Sequence, residues 1–122
     1  MILFAVAVAL QGQPSREDVA FCAEMRAGAA QEVVPRRIDP ITEAIATTVS
    51  CPTRTVTFNK RVSVNFSPVP EAWLAKERED WSRHICSPEG RGAMARRGWR
   101  FREHWTFPDG SELEIEASCE GR

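Results

Sequence analysis

The sequence predicts an α+β domain in the order helix, two strands, helix, two strands. An antiparallel sheet would carry both helices on one face, and disulfides would staple the fold. Three observations carry this expectation. Apolar residues recur at helical spacing in two separate segments, one between Ser15 and Pro35 and one over residues 71–85. They alternate with polar residues over residues 53–66 and again from Trp99 to Cys119. Four cysteines, Cys22, Cys51, Cys86 and Cys119, lie about 30 residues apart and none forms a close pair.

The first helix begins after Ser15. Ser15 with Asp18 loosely matches a capping box, and Glu17 and Asp18 suit the positive end of the helix dipole. Cys22, Met25, Ala29 and Val33 fall on one stripe, flanked by Val19 and Phe21, and Pro35 closes it. A first strand covers residues 41–51, with Ile41, Ile45, Val49 and Cys51 on one face and Pro52 as its breaker. A second covers residues 53–66, with Val56, Phe58, Val62, Val64 and Phe66 pointing one way. Lys60 interrupts that face, as a bulge or a hairpin turn would. The parity continues unchanged through it, which favours one long strand.

Pro68 and Pro70 open the second helix, where Leu74, Trp81 and Ile85 line up within about 40° at 100° per residue. Lys76, Glu79, Asp80 and Arg83 occupy its other face, and Cys86-Ser87-Pro88 ends it. A short helical piece over residues 93–97 ends at Gly98, a suitable residue beyond a helix C-terminus. Then Trp99, Phe101, Trp105 and Phe107 alternate with Arg100, Arg102, His104 and Thr106. After Pro108-Asp109-Gly110, Leu113, Ile115, Ala117 and Cys119 alternate with Glu112, Glu114, Glu116 and Ser118. This is an antiparallel hairpin on a three-residue loop. Its register sets Phe107 against Ser111, Trp105 against Leu113 and Phe101 against Ala117. On the wet face His104 opposes Glu114 and Arg102 opposes Glu116. Trp73, Trp81, Trp99 and Trp105 should gather in or near one core.

Residues 1–10 carry no charge, and residues 2–10 form an unbroken apolar run of nine. That is too short to span a bilayer and suits the apolar region of a secretory signal peptide. Ala7 and Ala9 supply the small residues a signal peptidase needs, although no Lys or Arg precedes the run. The competing reading is a buried N-terminal strand. The expected organisation is a leader over residues 1–10 and a single domain over residues 11–122. Widely spaced cysteines behind a leader read as two disulfides, not a zinc site, whose ligands come in close pairs. Four cysteines allow three pairings. The placement of the elements favours Cys22–Cys51 and Cys86–Cys119.

Composition narrows the function. At 43% hydrophobic and 27% charged residues, with a net charge of −1, wholesale disorder and strongly basic nucleic-acid binding are both excluded. Arg91, Arg96, Arg97, Arg100 and Arg102 with Trp99 and Phe101 imitate a nucleic-acid surface. Strand parity puts those aromatics on the face opposite Arg100 and Arg102, where the glutamates of the next strand oppose the arginines. Arg91, Arg96 and Arg97 are left as a patch open to an anionic partner such as lipid headgroups.

No catalytic or cofactor motif is present, and neither a metal nor a cofactor is implied. Glu103 is the odd residue, because parity points it inward among aromatics. The expectation for such a carboxylate is a sheet edge or a pairing with Arg. A hydrolase would use Glu103 with His84 or His104, and it requires those groups to meet in one cleft.

The chain from Val33 to Cys119 resembles a group of small, uncharacterised bacterial envelope proteins. The shared features are Val34-Pro35-Arg36-Arg37-Ile38-Asp39, the Thr/Val-rich strand, Cys86-Ser87-Pro88, Gly98, the aromatic strand, Asp109-Gly110 and a last cysteine. The resemblance implies export and a shared fold, and it implies no activity. The expected function is therefore an exported, non-enzymatic binding or accessory module of the cell envelope, inhibitor-like or an assembly factor. Its partner would be another envelope protein, with membrane-surface contact open and nucleic acid excluded.

Overall fold

The structure, a computed structural model, describes residues 15–65, 68–87 and 91–122. The expected leader lies outside the described residues. The elements are α1 (Arg16–Ala30), β1 (Arg36–Asp39), β2 (Thr42–Ser50), β3 (Thr55–Val62), α2 (Glu71–Cys86), α3 (Gly92–Arg96), β4 (Arg100–Thr106) and β5 (Glu112–Glu116). Among the described residues the strands form one five-stranded sheet in the order β1–β2–β3–β4–β5.

Two expectations about the sheet are corrected. It is mixed, not antiparallel throughout, because β3 and β4 run parallel with Val56 beside Phe101 and Lys60 beside Trp105. Parallel neighbours need a long crossover, usually helical, and α2 with α3 supplies it between them. The sheet also has an additional edge strand, β1, whose four residues are all exposed and so show no alternation to read. It is folded onto β2 by a tight turn in which Asp39 Oδ1 accepts from the Ile41 N–H at 2.9 Å.

β2 departs from the expected single face. Its pairing to β3 jumps from Ala44–Lys60 to Ala46–Asn59, which leaves Ile45 unpaired as a bulge. Thr42 and Ala44 are buried before the bulge, and Val49 and Cys51 pack on the core after it. β3 runs straight through Lys60 but ends at Val62, and Val64 is exposed. The hairpin register is as the sequence reads: Trp105 opposes Leu113, His104 opposes Glu114 and Arg102 opposes Glu116.

Both helices pack on one face of the sheet. Cys22 of α1, Trp81 and Ile85 of α2, and Val56, Phe101 and Ile115 of the sheet share one buried cluster. Ser15 caps α1 by accepting from the Asp18 N–H at 3.1 Å. The Trp99 indole N–H donates to Asp18 Oδ1 at 2.9 Å, and this bond holds the Asp18 carboxyl below its ordinary range. Phe21 meets the Trp99 ring edge-on at 4.8 Å between centroids. α1 stops at Ala30, so Val33 falls beyond the helix and stands exposed, as does Val19. On α2, the Trp81 indole donates to the Phe101 carbonyl at 3.1 Å and the buried Ser82 hydroxyl accepts from the Ser118 N–H at 3.0 Å. Trp73 is half-buried against the Trp105 ring.

The disulfides join Cys22 to Cys51 and Cys86 to Cys119, with Cα separations of 5.8 and 5.5 Å. The first ties α1 to the end of β2. The second ties the end of α2 to the chain beyond β5. Replacing Cys86 and Cys119 together by Ala is expected to lower the unfolding free energy by about 2–4 kcal/mol, since each bridge restricts the unfolded chain. Guanidinium denaturation of the variant checks this, and an unchanged midpoint would show that the bridge adds nothing.

Candidate functional site

Two inward positions in the middle of the sheet carry charge. Lys60 of β3 and Glu103 of β4 point to the core face, and the lysine ammonium meets Glu103 Oε2. The Glu103 side chain is 2% exposed and that of Lys60 19%. The ammonium lies 5.0 Å from the Trp105 ring centroid and 5.5 Å from that of Trp81, so two aromatic faces share its charge. Glu103 Oε1 is buried without a hydrogen-bond partner. Glu77 of α2 stands beside this pair. Burial pushes its carboxyl up to about 7, and the neighbouring Glu103 charge adds to the rise while Lys60 opposes it. Near neutral pH the Glu77 carboxyl is therefore poised between its protonated and ionised forms. Glu77 carries no signal in the sequence. Lys60 and Glu103 do, as two opposite charges that break inward apolar runs.

The structure does not bring Glu103 together with either histidine. His104 is on the opposite face of β4, where it meets Asn59 Oδ1 through Nδ1 at 3.1 Å and Glu112 through Nε2 at 3.1 Å. His84 is exposed on α2 and tilts against Trp81. Neither is hydrogen-bonded or ion-paired to Glu103. Among the described residues no group of three or more His, Cys, Asp or Glu is placed to hold a metal. No helix among them is long and apolar enough to cross a membrane.

The arginines singled out in the sequence take different positions. Arg96 donates to the carbonyls of Cys86 and Arg122, each at 3.2 Å. Arg97 pairs with Glu17 at 3.5 Å. Arg100 and Arg102 bond Glu116 at 2.8 and 3.0 Å, so β5 neutralises that stripe. Arg91 stands apart, half-buried with its guanidinium 5.6 Å from the Phe58 ring centroid. Among the described residues it has no ion pair, and its buried Nε has no hydrogen-bond partner.

Arg91 and Phe58 form one wall of a groove of about 380 Å³ beneath α1. Met25, Gly28 and Ala29 of α1 form another. At the end of α1, Glu32 Oε1 accepts from the Thr47 hydroxyl at 3.0 Å and Oε2 from the Thr47 N–H at 3.1 Å. A Cβ at Gly28 would meet nothing within 4 Å. The sequence reading missed this groove, and the one available signal was a glycine inside a helix, where alanine is the better former.

The charged cluster generates two expectations. Lys60→Met leaves Glu103 buried and unpaired, and should destabilise the fold by about 3–5 kcal/mol. Adding Glu103→Leu should recover most of that loss, because the stranded charge is gone. Denaturant unfolding of the single and double variants checks the pair, and simple additivity would count against it. Glu77 binds its proton more tightly folded than unfolded. Its contribution to stability therefore falls as pH rises from about 4.5 to about 7 and stays lost above. Glu77→Gln should remove this dependence, so melting temperatures of the two proteins should converge near pH 4.5 and separate above pH 7. Parallel curves would overturn the assignment.

The sequence matches no protein-family model, and no curated protein is similar enough to count as a relative. Solved structures are similar in fold. One is a Pseudomonas aeruginosa protein described as secreted, with a TM-score of 0.65 at 15% identity, over 85% of this chain and 94% of that one. Another is EpsS, the pilotin of the Vibrio vulnificus type 2 secretion system, with a TM-score of 0.60 at 12% identity, over 88% of this chain and 96% of that one.

Proposed function

We propose that this protein is an exported, non-enzymatic accessory module of the cell envelope that binds a segment of another envelope protein in the groove beneath α1. The observation that carries this reading is the groove itself. The groove between its apolar walls is unfilled, and among the described residues its arginine has no carboxylate partner and a buried Nε without a hydrogen bond. Buried polar groups in a finished core are rarely left in that state. Just beyond Glu32, Val33 is 80% exposed and Ile38 46%, which extends the apolar surface towards β1. The two disulfides suit an oxidising compartment. Fold likeness to a secreted protein and to a secretion-system pilotin supports the same direction, as analogy of architecture.

Two measurements on protein from its native host test this. Intact mass should show the leader removed, and thiol alkylation should occur only after reduction. A photo-crosslinking residue at Glu24, in the groove, should capture an envelope protein that the same residue at Arg61, on the opposite sheet face, does not. A retained leader with freely alkylated thiols removes the export reading. Equal capture from both positions, or none, removes the binding reading.

A further inference from the structure

We propose that the groove beneath α1 is built for a mixed-charge peptide segment, one that presents a carboxylate to Arg91, an apolar side chain to Met25 and Phe58, and a cationic side chain to Glu24 and Glu32. This rests on the reading that the protein binds another envelope protein, and it specifies the chemistry of what is bound. The argument starts from charges that share a cavity and do not meet. Glu24, Glu32 and Arg91 all line the groove, yet Arg91 makes no ion pair with either glutamate. The cavity of about 380 Å³ holds them apart. Glu32 is anchored over β2 by its two bonds from Thr47, while Arg91 is anchored over β3 by the Phe58 ring. Neither can swing to the other without giving up that support.

A purely acidic ligand would face two glutamates, and a purely basic one would face the arginine. A ligand with one charge of each sign satisfies both walls, and charge-assisted bonds in a partly enclosed site are the strong ones. Between the charged walls lie Met25, Gly28, Ala29 and Phe58, apolar or bare, which calls for an apolar group in the middle of the ligand. Gly28 keeps that space open, since no other group comes near where its Cβ would stand. The flexible Met25 thioether adapts to the shape of the inserted side chain.

The test uses end-blocked synthetic peptides, so that only side chains carry charge. Glu-Gly-Leu-Gly-Lys and its reverse are compared with Glu-Gly-Leu-Gly-Glu and Lys-Gly-Leu-Gly-Lys. Each is titrated to millimolar concentration into the full domain while backbone amide shifts are followed. One mixed-charge order should shift the Gly28 and Ala29 amides with a midpoint roughly tenfold lower than either single-sign peptide, the margin expected for one charge-assisted hydrogen bond. Gly28→Leu fills the groove in open space and should abolish the shifts with the fold intact. Arg91→Met keeps the apolar stem over Phe58 and should reduce the mixed-charge peptide to the level of Lys-Gly-Leu-Gly-Lys. Equal midpoints for all four peptides, an absence of shifts, or shifts that survive Gly28→Leu would each overturn the inference. If the peptides fail while crosslinking from Glu24 still captures an envelope protein, the binding reading stands and only this chemistry falls. If both fail, the binding reading falls as well.

Discussion

Parallel pairing of β3 with β4 is the constraint on which the other elements depend. Two parallel neighbours cannot be joined by a tight turn, so the chain between them must leave the sheet and return. Residues 63–99 make that excursion, and α2 is its main part. Laid on the sheet, α2 brings Trp81 and Ile85 into the core and delivers Cys86 to the chain after β5. Antiparallel hairpins then extend the sheet outward on both sides, β2 and β1 from β3, and β5 from β4. The centre is non-local and the flanks are local. The disulfides fall where the local pairings end, one from α1 to the end of β2 and one from α2 to the segment beyond β5.

The ion pair at that centre fixes the register. Side chains alternate across a strand, so a slip of one residue between β3 and β4 would turn either Lys60 or Glu103 to the wet face and leave the other buried alone. An unpaired buried charge is far more expensive than a paired one, even where the pair itself adds little net stability. The pair thus discriminates between registers more than it stabilises one. Trp81 and Trp105 enclose the ammonium from two sides, which ties the same choice to the docking of α2. Glu77 joins from the helix side, where burial first and the neighbouring Glu103 second push its carboxyl up to about 7.

How much of this was legible follows from what each element depends on. The β4–β5 hairpin could be read to the residue, because its alternation and its Pro108-Asp109-Gly110 loop are both local. The cap at Ser15 was legible for the same reason, and the pairing of the cysteines followed from the order in which the elements were placed. The direction of β4 against β3 was not, since no local pattern distinguishes an amphipathic strand with a parallel neighbour from one with an antiparallel neighbour. That single error hid the pairing of Lys60 with Glu103. The bulge at Ile45 was also hidden, because it is a property of the paired strands and not of β2 alone. Of the site, Arg91 was visible only as a member of a basic run. Its separation from Arg96 and Arg97 depends on Phe58 and α1, which lie far from it in sequence.

The groove raises a question of how α1 stays in place with so little of itself buried. Cys22 is its one fully buried residue among those described. A helix normally holds to a sheet by an apolar stripe packed to near crystal density, which leaves no room beneath it. α1 is held by discrete ties instead: the disulfide to Cys51, the Asp18–Trp99 bond and Phe21 against Trp99 towards its start, and the Glu32–Thr47 bonds just past its end. Between these ties, Met25 packs against the core only in part, and the groove opens beside it and Ala29. A covalent bridge restricts the unfolded chain whether or not the space beside it is filled. Tethers can therefore take over from packing where a cavity has to persist. A helix held by contacts alone would be drawn down onto the sheet to close such a void, since an unfilled apolar space weakens the fold in proportion to its volume. The disulfide to Cys51 and the glycine at position 28 thus act together, the first holding α1 without requiring it to pack, the second leaving the space beneath it open.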